Sequence, residues 1–229
     1  MGLTITSTGN AGVRLENGAG SLYIDSFFRE APGVGGRPIL RGDAAKPADL
    51  ILLTHGHRDH LDPRETLAAA HAAGATVAGP ESALRPFRDA LPPERLLLLE
   101  PEEDMKPPAT VSAAVGGISL TAFRTYHARG HNSYLVEMGG VRIFHDADNE
   151  FTQFLDPDAL GRVDLLLLCP WAGSEAGDFI ARLKPGKWLL IHMNDEEIAD
   201  HREGRFLPGL VSPIPEGVVA LAPGETLEI

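Results

Sequence analysis

The apolar positions of the chain fall in short runs separated by glycine, asparagine and proline, a pattern that predicts many short strands. Residues 49–54 and 163–168 form continuous apolar runs, which are typical of strands buried on both faces. Near the start, short runs broken by glycine and asparagine predict an antiparallel opening. The other predicted strands span residues 3–5, 12–14, 22–24, 75–78, 95–99, 119–126, 133–137, 141–144, 188–191, 218–221 and 226–229, and the last two are expected to pair with each other.

Helical patterns alternate with these strands over much of the chain. Asp62 suits an N-cap, Pro63 the first helical position and Gly74 the residue that ends the helix, so one helix is predicted between them. Residues 31–43 are predicted to form a loop. Further helices are predicted at residues 81–90, 175–183 and 196–205. Alternation of strand and helix indicates an α/β fold in layers, with two mixed sheets and outer helices in one domain over residues 1–229.

Net charge, the length of the apolar runs and the number of cysteines limit the partners and the cellular location that we expect. The chain has 229 residues and a formal net charge of −12, which disfavours a nucleic-acid partner but leaves room for a small anionic substrate. Its apolar runs are too short to span a membrane, and its start lacks the pattern of a secretory signal. Cys169 is the only cysteine and is expected to be buried, so a reducing compartment, the cytoplasm, is predicted.

The segment HGHRDH, residues 55–60, carries the strongest chemical signal. It places four metal-binding side chains within six residues, directly after a buried strand. Neutral imidazole and carboxylate groups are ligands that Zn²⁺ and similar ions accept. His55 and His57 are two residues apart and project to one side of an extended turn, whereas Asp59 and His60 follow where the chain turns toward the helix. The sequence therefore predicts a metal site in a loop, with room for a second ion.

HGHRDH matches the His-x-His-x-Asp-His signature of the metallo-β-lactamase superfamily, and further motifs of that superfamily follow in order. The segment TSTGNAGVRLENGAGSLYIDSFF resembles its opening hairpin, which ends in an aspartate, here Asp25. Relatives often carry Gly-His where this chain has Gly9 and Asn10. His127 matches the histidine of the third motif, Asp148 in IFHDADN matches the bridging aspartate, and His192 in KWLLIH matches the last histidine.

This resemblance extends over essentially the whole chain. The segments THGHRDHLDP and LAPGETLEI look most like the branch that includes ascorbate-6-phosphate lactonase. It implies a four-layer αββα sandwich of two mixed β-sheets flanked by helices. It also implies a metal-dependent hydrolase with two divalent metal ions, Zn²⁺ foremost, although Mn²⁺, Fe or Ni²⁺ would bind the same ligands. The implied substrate is a small, anionic ester, lactone or phosphodiester, attacked by a hydroxide that the two metals activate.

The resemblance also assigns roles to residues. One ion is bound by His55, His57 and His127, the other by Asp59, His60 and His192, and Asp148 bridges the two. Asp59 and Asp148 are the residues expected to act in catalysis. Asp25 is expected to orient a ligand histidine through a hydrogen bond.

Two ligand positions and the general acid have competing candidates. In YHARGHNSY, either His127 or His131 could be the metal ligand. His127 is favoured because Ala-Arg-Gly follows it and allows a turn before the next strand. His131 would then line the pocket or form a hydrogen bond within the loop. Asp146 competes with Asp148, and the resemblance favours Asp148. A general acid for the leaving group is sought among His131, His145 and Asp146.

Other readings of the same residues stay open. Arg58 and Arg129 either attract a substrate anion or point to solvent. Trp171 either walls the pocket or lies in the core, and the core position is favoured. A nuclease or RNA-processing phosphodiesterase is one alternative function, but it normally requires a basic patch that the sequence does not show. A non-enzymatic metal-binding protein is the other. The oligomeric state is not indicated.

Overall fold

The computed structural model describes residues 2–30, 36–102, 108–171, 176–206 and 216–229. Within these ranges the strands are β1 (Thr4–Gly9), β2 (Gly12–Asn17), β3 (Gly20–Ile24), β4 (Leu50–Leu52), β5 (Thr76–Gly79), β6 (Leu96–Leu98), β7 (Thr110–Val115), β8 (Ile118–Arg124), β9 (Asn132–Met138), β10 (Val141–His145), β11 (Leu165–Leu168), β12 (Lys187–Leu190), β13 (Val218–Ala220) and β14 (Thr226–Glu228). The α-helices are α1 (Pro63–Ala73), α2 (Glu81–Leu84), α3 (Pro157–Leu160), α4 (Ala176–Leu183) and α5 (Asp195–Arg202). None of these helices is long and apolar enough to cross a membrane.

The strands form two sheets of seven. The first sheet has the order β14-β1-β2-β3-β4-β5-β6, and the second has the order β13-β12-β11-β10-β9-β8-β7. In each sheet three neighbouring pairs are antiparallel and the other three are parallel. Both sheets are therefore mixed, as expected, and they share one plan although the sequence shows no repeat.

Alternate residues of the central strands enter different cores, which produces the layers. In β4, Leu50 and Leu52 belong to the core that residues of both sheets share. Ile51 lies on the other face of that strand, in a core that it shares with alanines of α1. The four leucines of β11 divide in the same way between the shared core and the core under α4. The prediction of strands buried on both faces is confirmed, and so is the four-layer sandwich.

The first helix has the ends that the sequence predicts. The Asp62 side chain accepts hydrogen bonds from the backbone N–H groups of Arg64 and Glu65, at 2.8 and 3.3 Å. Gly74 ends the helix in the left-handed region, with φ of 71°, where glycine carries little steric cost. Because α1 begins three residues after His60, this cap fixes the direction in which the chain leaves the HGHRDH segment.

Two predictions are wrong: the extent of one helix and the pairing of the last two strands. The helix expected at residues 81–90 is α2 followed by a 3₁₀ turn, because Pro86 lacks the N–H that would continue the helix. The strands near residues 218–221 and 226–229 exist but do not pair. Instead, β13 adds to β12 in the second sheet, whereas β14 adds to β1 in the first. Of the predicted loop at residues 31–43, residues 31–35 lie outside the described ranges, as does the predicted helix start at residue 175.

Hydrogen bonds tie the two sheets together beside the HGHRDH segment. The hydroxyl of Tyr134, on β9, donates to the backbone oxygen of Leu53 at 2.8 Å. The backbone N–H of Asn132 donates to the oxygen of Thr54 at 3.0 Å, and its side-chain amide donates to the oxygen of Leu99 at 2.8 Å. These bonds run from the second sheet to residues at the ends of first-sheet strands, so they fix how the sheets are placed against each other at this edge.

The two tryptophans have opposite environments, and the expectation for Trp171 is wrong. Trp171 is 54% exposed; it follows Pro170 beyond the end of β11 and contacts the ring of Phe206, 5.2 Å away between centroids. Trp188, on β12, is fully buried in the core under α4. Cys169 is buried, as the sequence predicts.

This contrast gives a matched pair of variants. We expect Trp188→Ala to lower the free energy of unfolding by about 3–5 kcal/mol, because it removes a large buried side chain and leaves a cavity. Trp171→Ala should change it by only about 0.5 kcal/mol. Urea unfolding followed by far-UV circular dichroism measures both. Equal losses in the two variants would contradict the burial described here.

Candidate metal centre

The candidate ligands converge because each follows a strand that ends at one edge of the sandwich. The segment with His55 follows β4, and His127 lies between β8 and β9. Asp148 follows β10 and His192 follows β12. The first sheet thus contributes the HGHRDH segment and the second sheet contributes the other three residues, so the site lies where the two sheets meet.

One cluster contains His55, His57 and His127. One donor atom from each of these residues lies within 4.8 Å of the others. His127 Nε2 is 3.2 Å from His57 Nδ1, and the ring of His55 packs against both of the other rings. Three imidazoles at these separations suit a single divalent ion.

A second cluster contains Asp59, His60, Asp148 and His192, whose donor atoms also lie within 4.8 Å of one another. Asp148 Oδ2 is its centre, at 3.0 Å from His60 Nε2 and 3.3 Å from His192 Nε2. The same oxygen is 3.6 Å from His127 Nε2 of the first cluster. Asp148 therefore contacts both clusters, which is the position a bridging carboxylate requires.

Two buried atoms in the site suit metal coordination. Among the described residues, His55 Nε2 and Asp148 Oδ1 are inaccessible to solvent and lack a hydrogen-bond partner. Leaving such atoms unsatisfied costs about 1–3 kcal/mol each. A metal ion bound by these atoms would remove that cost, so the residues present fit a metal centre.

The protonation of His55 follows from its neighbour Thr54. The Thr54 hydroxyl donates its only proton to Asp25 Oδ2 at 2.5 Å, so it can only accept a proton from His55 Nδ1, 2.9 Å away. The lone pair of His55 then lies on Nε2, the atom without a partner. Burial, together with the nearby imidazoles of His60 and His131, holds the pKa of His55 well below its usual value, which keeps this ring neutral as a metal ligand must be.

In the absence of metal, protons balance the charges of the second cluster. Burial opposes the charged form of His60, but the carboxylates of Asp148 and Asp25 raise its pKa well above the usual value. Burial likewise opposes charge on His192, and hydrogen bonds to Asp148 and Asp59 raise its pKa to about 9. The pKa of Asp148 is in turn held well below its usual value by these histidines, against the effect of burial. Metal ions would have to displace the histidine protons.

Further side chains hold the candidate ligands in place. Asp25 is fully buried; its Oδ1 accepts from the Thr54 backbone N–H at 2.9 Å, and its Oδ2 lies 2.8 Å from His60 Nδ1. The resemblance leads us to expect such a hydrogen bond, and the role of His60 as a metal ligand stays a prediction. Glu150 Oε1 lies 2.9 Å from His127 Nδ1. In both pairs the carboxylate holds Nδ1, which directs Nε2 of the histidine into the site.

Sequence reasoning missed Thr54, Glu150 and Asn10. The Asn10 side chain donates to the backbone oxygen of Asp59 at 2.8 Å, and its backbone oxygen accepts from the N–H of His192 at 2.9 Å. Asn10 stands where relatives often carry the histidine of Gly-His, so that departure was the available signal. Thr54 precedes His55, and Glu150 lies two residues after Asp148. Many loop residues lie this close to a candidate ligand in sequence, so position alone could not identify these two.

The structure separates the competing candidates. His131 is fully buried, and its Nε2 accepts the backbone N–H of Asp148 at 3.2 Å while Nδ1 lies 2.8 Å from Thr125 Oγ1. Its lone pair is thus engaged by the protein. Asp146 is similarly engaged, accepting hydrogen bonds from Ser133, Asn149 and Thr152. His127 and Asp148 are therefore the members of each pair that the geometry brings into the clusters.

None of the three expected general acids has a free proton-transfer group. His145 Nδ1 accepts from the Ala147 N–H, and its Nε2 lies 3.1 Å from the Ala11 backbone oxygen. Burial lowers the pKa of both His145 and His131, whereas it raises the pKa of Asp146 to about 6. These residues support the site through hydrogen bonds, and the expectation that one of them faces a leaving group gains no support.

The backbone is strained around the site. Asn10, Asp25, Ala147 and His192 all have φ between 43° and 62°, a left-handed conformation that is uncommon for residues other than glycine. Each of them either contributes a side chain to the site or adjoins Asp148. Such strain persists where the surrounding structure enforces it, and it is frequent at functional sites.

We expect Asp25→Asn to weaken metal binding by about 10- to 100-fold, because an amide cannot accept from both Thr54 and His60 as the carboxylate does. Competition with a fluorescent chelator measures the affinity. Asp49→Asn is the matched control: Asp49 is an exposed carboxylate that bonds the Ser21 N–H beyond the opposite end of β4. Equal metal affinity in the two variants would show that Asp25 does not orient His60.

Comparisons with known proteins identify the superfamily. The family model described as the beta-lactamase superfamily domain matches residues 23–193. The UPF0173 metal-dependent hydrolase of Pyrococcus furiosus is 28% identical over 243 residues, which cover 98% of this chain and 99% of that protein. A UPF0173 metal-dependent hydrolase of Agrobacterium fabrum is 41% identical, but over 75 residues that span 33% of this chain and 30% of that protein.

The fold has a close structural counterpart. The metallo-beta-lactamase fold protein YhfI of Bacillus subtilis superposes with a TM-score of 0.70 at 17% sequence identity, covering 99% of both chains. This likeness shows the fold, and the family match covers the strands and loops that carry every candidate ligand. The chain therefore belongs to the β-lactamase superfamily.

Proposed function

We propose that the protein hydrolyses a small anionic ester, lactone or phosphodiester with two divalent metal ions. His55, His57 and His127 would hold one ion, Asp59, His60 and His192 the other, and Asp148 both. The observation that carries the proposal is the contact of Asp148 Oδ2 with histidines of both clusters, at 3.0 to 3.6 Å. A carboxylate that contacts both groups of histidines can bind two metal ions at the same time.

When bound, two such ions lower the pKa of a shared water toward about 7 and stabilise negative charge on oxygen. The protein's own contribution is to hold the donors. Asp25 and Glu150 fix the Nδ1 atoms of His60 and His127, and Thr54 does the same for His55. Burial of His55, His60 and Asp25 lowers the local dielectric and strengthens their interactions with charge.

The donor set favours zinc, since imidazole and carboxylate suit it, although manganese, iron and nickel accept the same ligands. We also propose that the chain belongs to the branch of the superfamily that includes ascorbate-6-phosphate lactonase, because the proposed substrates include lactones. We also propose that the chain forms one domain and acts in the cytoplasm, on the ground that a protein with one cysteine suits a reducing compartment.

A substrate panel tests the proposal. Metal-loaded protein is assayed with phosphodiesters, lactones and thioesters, and its metal content is measured by elemental analysis. We expect two equivalents of metal per chain and hydrolysis of at least one class by the wild type. No hydrolysis at full metal loading would favour a binding protein over an enzyme, and one equivalent of metal would overturn the dinuclear site.

A further inference from the structure

A second feature lies beside the metal centre, a cavity of about 570 Å³ with positive charge on its walls. Its volume falls in the range of about 300–1,000 Å³ that is usual for small-molecule sites. The residues that line it are Glu81, Ser82, Arg85, Glu100, Arg129 and Gly130. Two of these are arginines, in a chain whose formal net charge is −12.

The cavity adjoins the loops that carry the candidate ligands. Gly56, between His55 and His57, approaches Ser82 closely, since a Cβ on Gly56 would lie 3.5 Å from the Ser82 backbone oxygen. A Cβ on Gly130 would lie only 2.7 Å from Ser82 Oγ. Gly130 also has φ of 73°, so both its space and its backbone favour glycine. Arg129 is thereby held at the cavity, two residues from His127.

Arg129 also connects this cavity with a neighbouring one. A cavity of about 360 Å³ is lined by His127 as well as by Arg129 and Phe151. Arg129 thus borders both the space next to a candidate metal ligand and the larger space that Arg85 lines. A ligand held by the two arginines would extend toward the metal centre.

The charges on the wall do not cancel. Glu81 forms an ion pair with Arg88, and Glu100 forms one with Arg124. Arg85 and Arg129 are exposed, and neither forms an ion pair or a side-chain hydrogen bond within the part of the chain that the structure describes. The two carboxylates are therefore neutralised by other arginines, which leaves two cations facing the cavity.

We propose that Arg85 and Arg129 bind an anionic group of the substrate, a phosphate or carboxylate remote from the bond that is cleaved. The inference rests on the proposed function and adds the groups that select the substrate. Guanidinium groups bind phosphate and carboxylate oxygens through paired N–H donors. Ser82, an exposed residue that also lines this cavity, has a hydroxyl that supplies a further donor.

Binding of inorganic pyrophosphate tests the subsite without reference to catalysis. Calorimetric titration is performed on protein that has been stripped with a chelator and dialysed, so the metal centre does not compete. We expect wild type to bind pyrophosphate and Arg129→Gln and Arg85→Gln each to weaken binding about tenfold. Arg162→Gln is the control with the same charge change: Arg162 is 70% exposed and bonds the Gly140 backbone, between β9 and β10. Unchanged affinity in both cavity variants, or an equal loss in the control, would overturn the subsite.

A kinetic comparison separates this inference from the proposed function. With metal-loaded protein, Arg129→Gln should raise KM about tenfold for mono-4-nitrophenyl glutarate, which carries a carboxylate, and leave KM for neutral 4-nitrophenyl butyrate unchanged. Equal effects on the two esters would count against the subsite. If wild type hydrolyses neither ester, the ester form of the proposed function fails, whereas the pyrophosphate result still decides the subsite.

Binding of a single-stranded RNA, but not of pyrophosphate, through the same arginines would replace the small-molecule ligand with a nucleic acid.

Discussion

The Asp148→Ala variant is expected to lose hydrolytic activity by about 10³-fold, because metal ions contribute several kcal/mol of transition-state stabilisation and 1.36 kcal/mol corresponds to a factor of ten. The reason is local. Asp148 Oδ2 contacts histidines of both clusters, and Asp148 Oδ1 is buried without a hydrogen-bond partner. Removing both oxygens should lower the metal content from two equivalents per chain to one or none. Elemental analysis and steady-state kinetics on the same preparation measure the two losses together.

Asp146→Asn is the informative comparison for this variant. Asp146 is a buried carboxylate two residues away, and it is engaged by Ser133, Asn149 and Thr152 rather than by the clusters. We expect this variant to keep both metals while losing stability. Retention of two metals and of activity by Asp148→Ala would remove Asp148 from the site. Loss of metal only in the Asp146 variant would reverse the choice between the two aspartates.

Removal of metal should lower the melting temperature of the protein substantially. Metal at 1,000 times its dissociation constant adds about 4 kcal/mol to the stability of the folded state, and 1 kcal/mol shifts Tm by about 2–4 °C in a domain of this size. Chelation should therefore lower Tm by about 8–16 °C, measured by differential scanning calorimetry. Because ligands come from both sheets, the stabilisation acts across the interface between them. An unchanged Tm in protein shown by elemental analysis to have lost its metal would contradict a site built into the folded chain.

Metal uptake should also release protons, and the sign follows from the pKa of His192. That pKa is raised to about 9 in the metal-free protein by the hydrogen bonds to Asp148 and Asp59, against burial, so His192 is protonated at pH 7. A ligand imidazole must be neutral. The apparent affinity for metal should consequently rise with pH up to about 9. Titration in buffers of different ionisation enthalpy measures the released protons, and the absence of release at pH 7 would show that this histidine is not a ligand.

Those parts of the fold that depend on local pattern could be predicted from the sequence. Continuous apolar runs identified β4 and β11 as buried on both faces, and the Asp-Pro and Gly signals gave both ends of α1. The pairing of β13 with β12 and of β14 with β1 could not be predicted. These two strands are only five residues apart, and nothing local indicates that the chain crosses from one sheet to the other between them.

The sequence likewise indicated the candidate ligands but not the hydrogen bonds and ion pairs around them. The HGHRDH segment and the resemblance to known motifs brought forward every residue of the two clusters, and their ligand roles stay predictions until metal is measured. The sequence could not show that the Thr54 hydroxyl sets the tautomer of His55, since that depends on a proton shared with Asp25. Nor could it show which arginines have acidic partners. That information depends on distances between segments far apart in the chain.

The hydrogen bonds from Tyr134 and Asn132 to the ends of first-sheet strands affect how the protein responds to heat. Apolar packing between two sheets has no preferred direction, whereas hydrogen bonds between defined atoms fix the position of one sheet against the other. Each cluster combines donor atoms from both sheets, so a shift of one sheet against the other would move these atoms apart. Thermal inactivation should then coincide with global unfolding, without an earlier phase in which a folded enzyme has lost its activity.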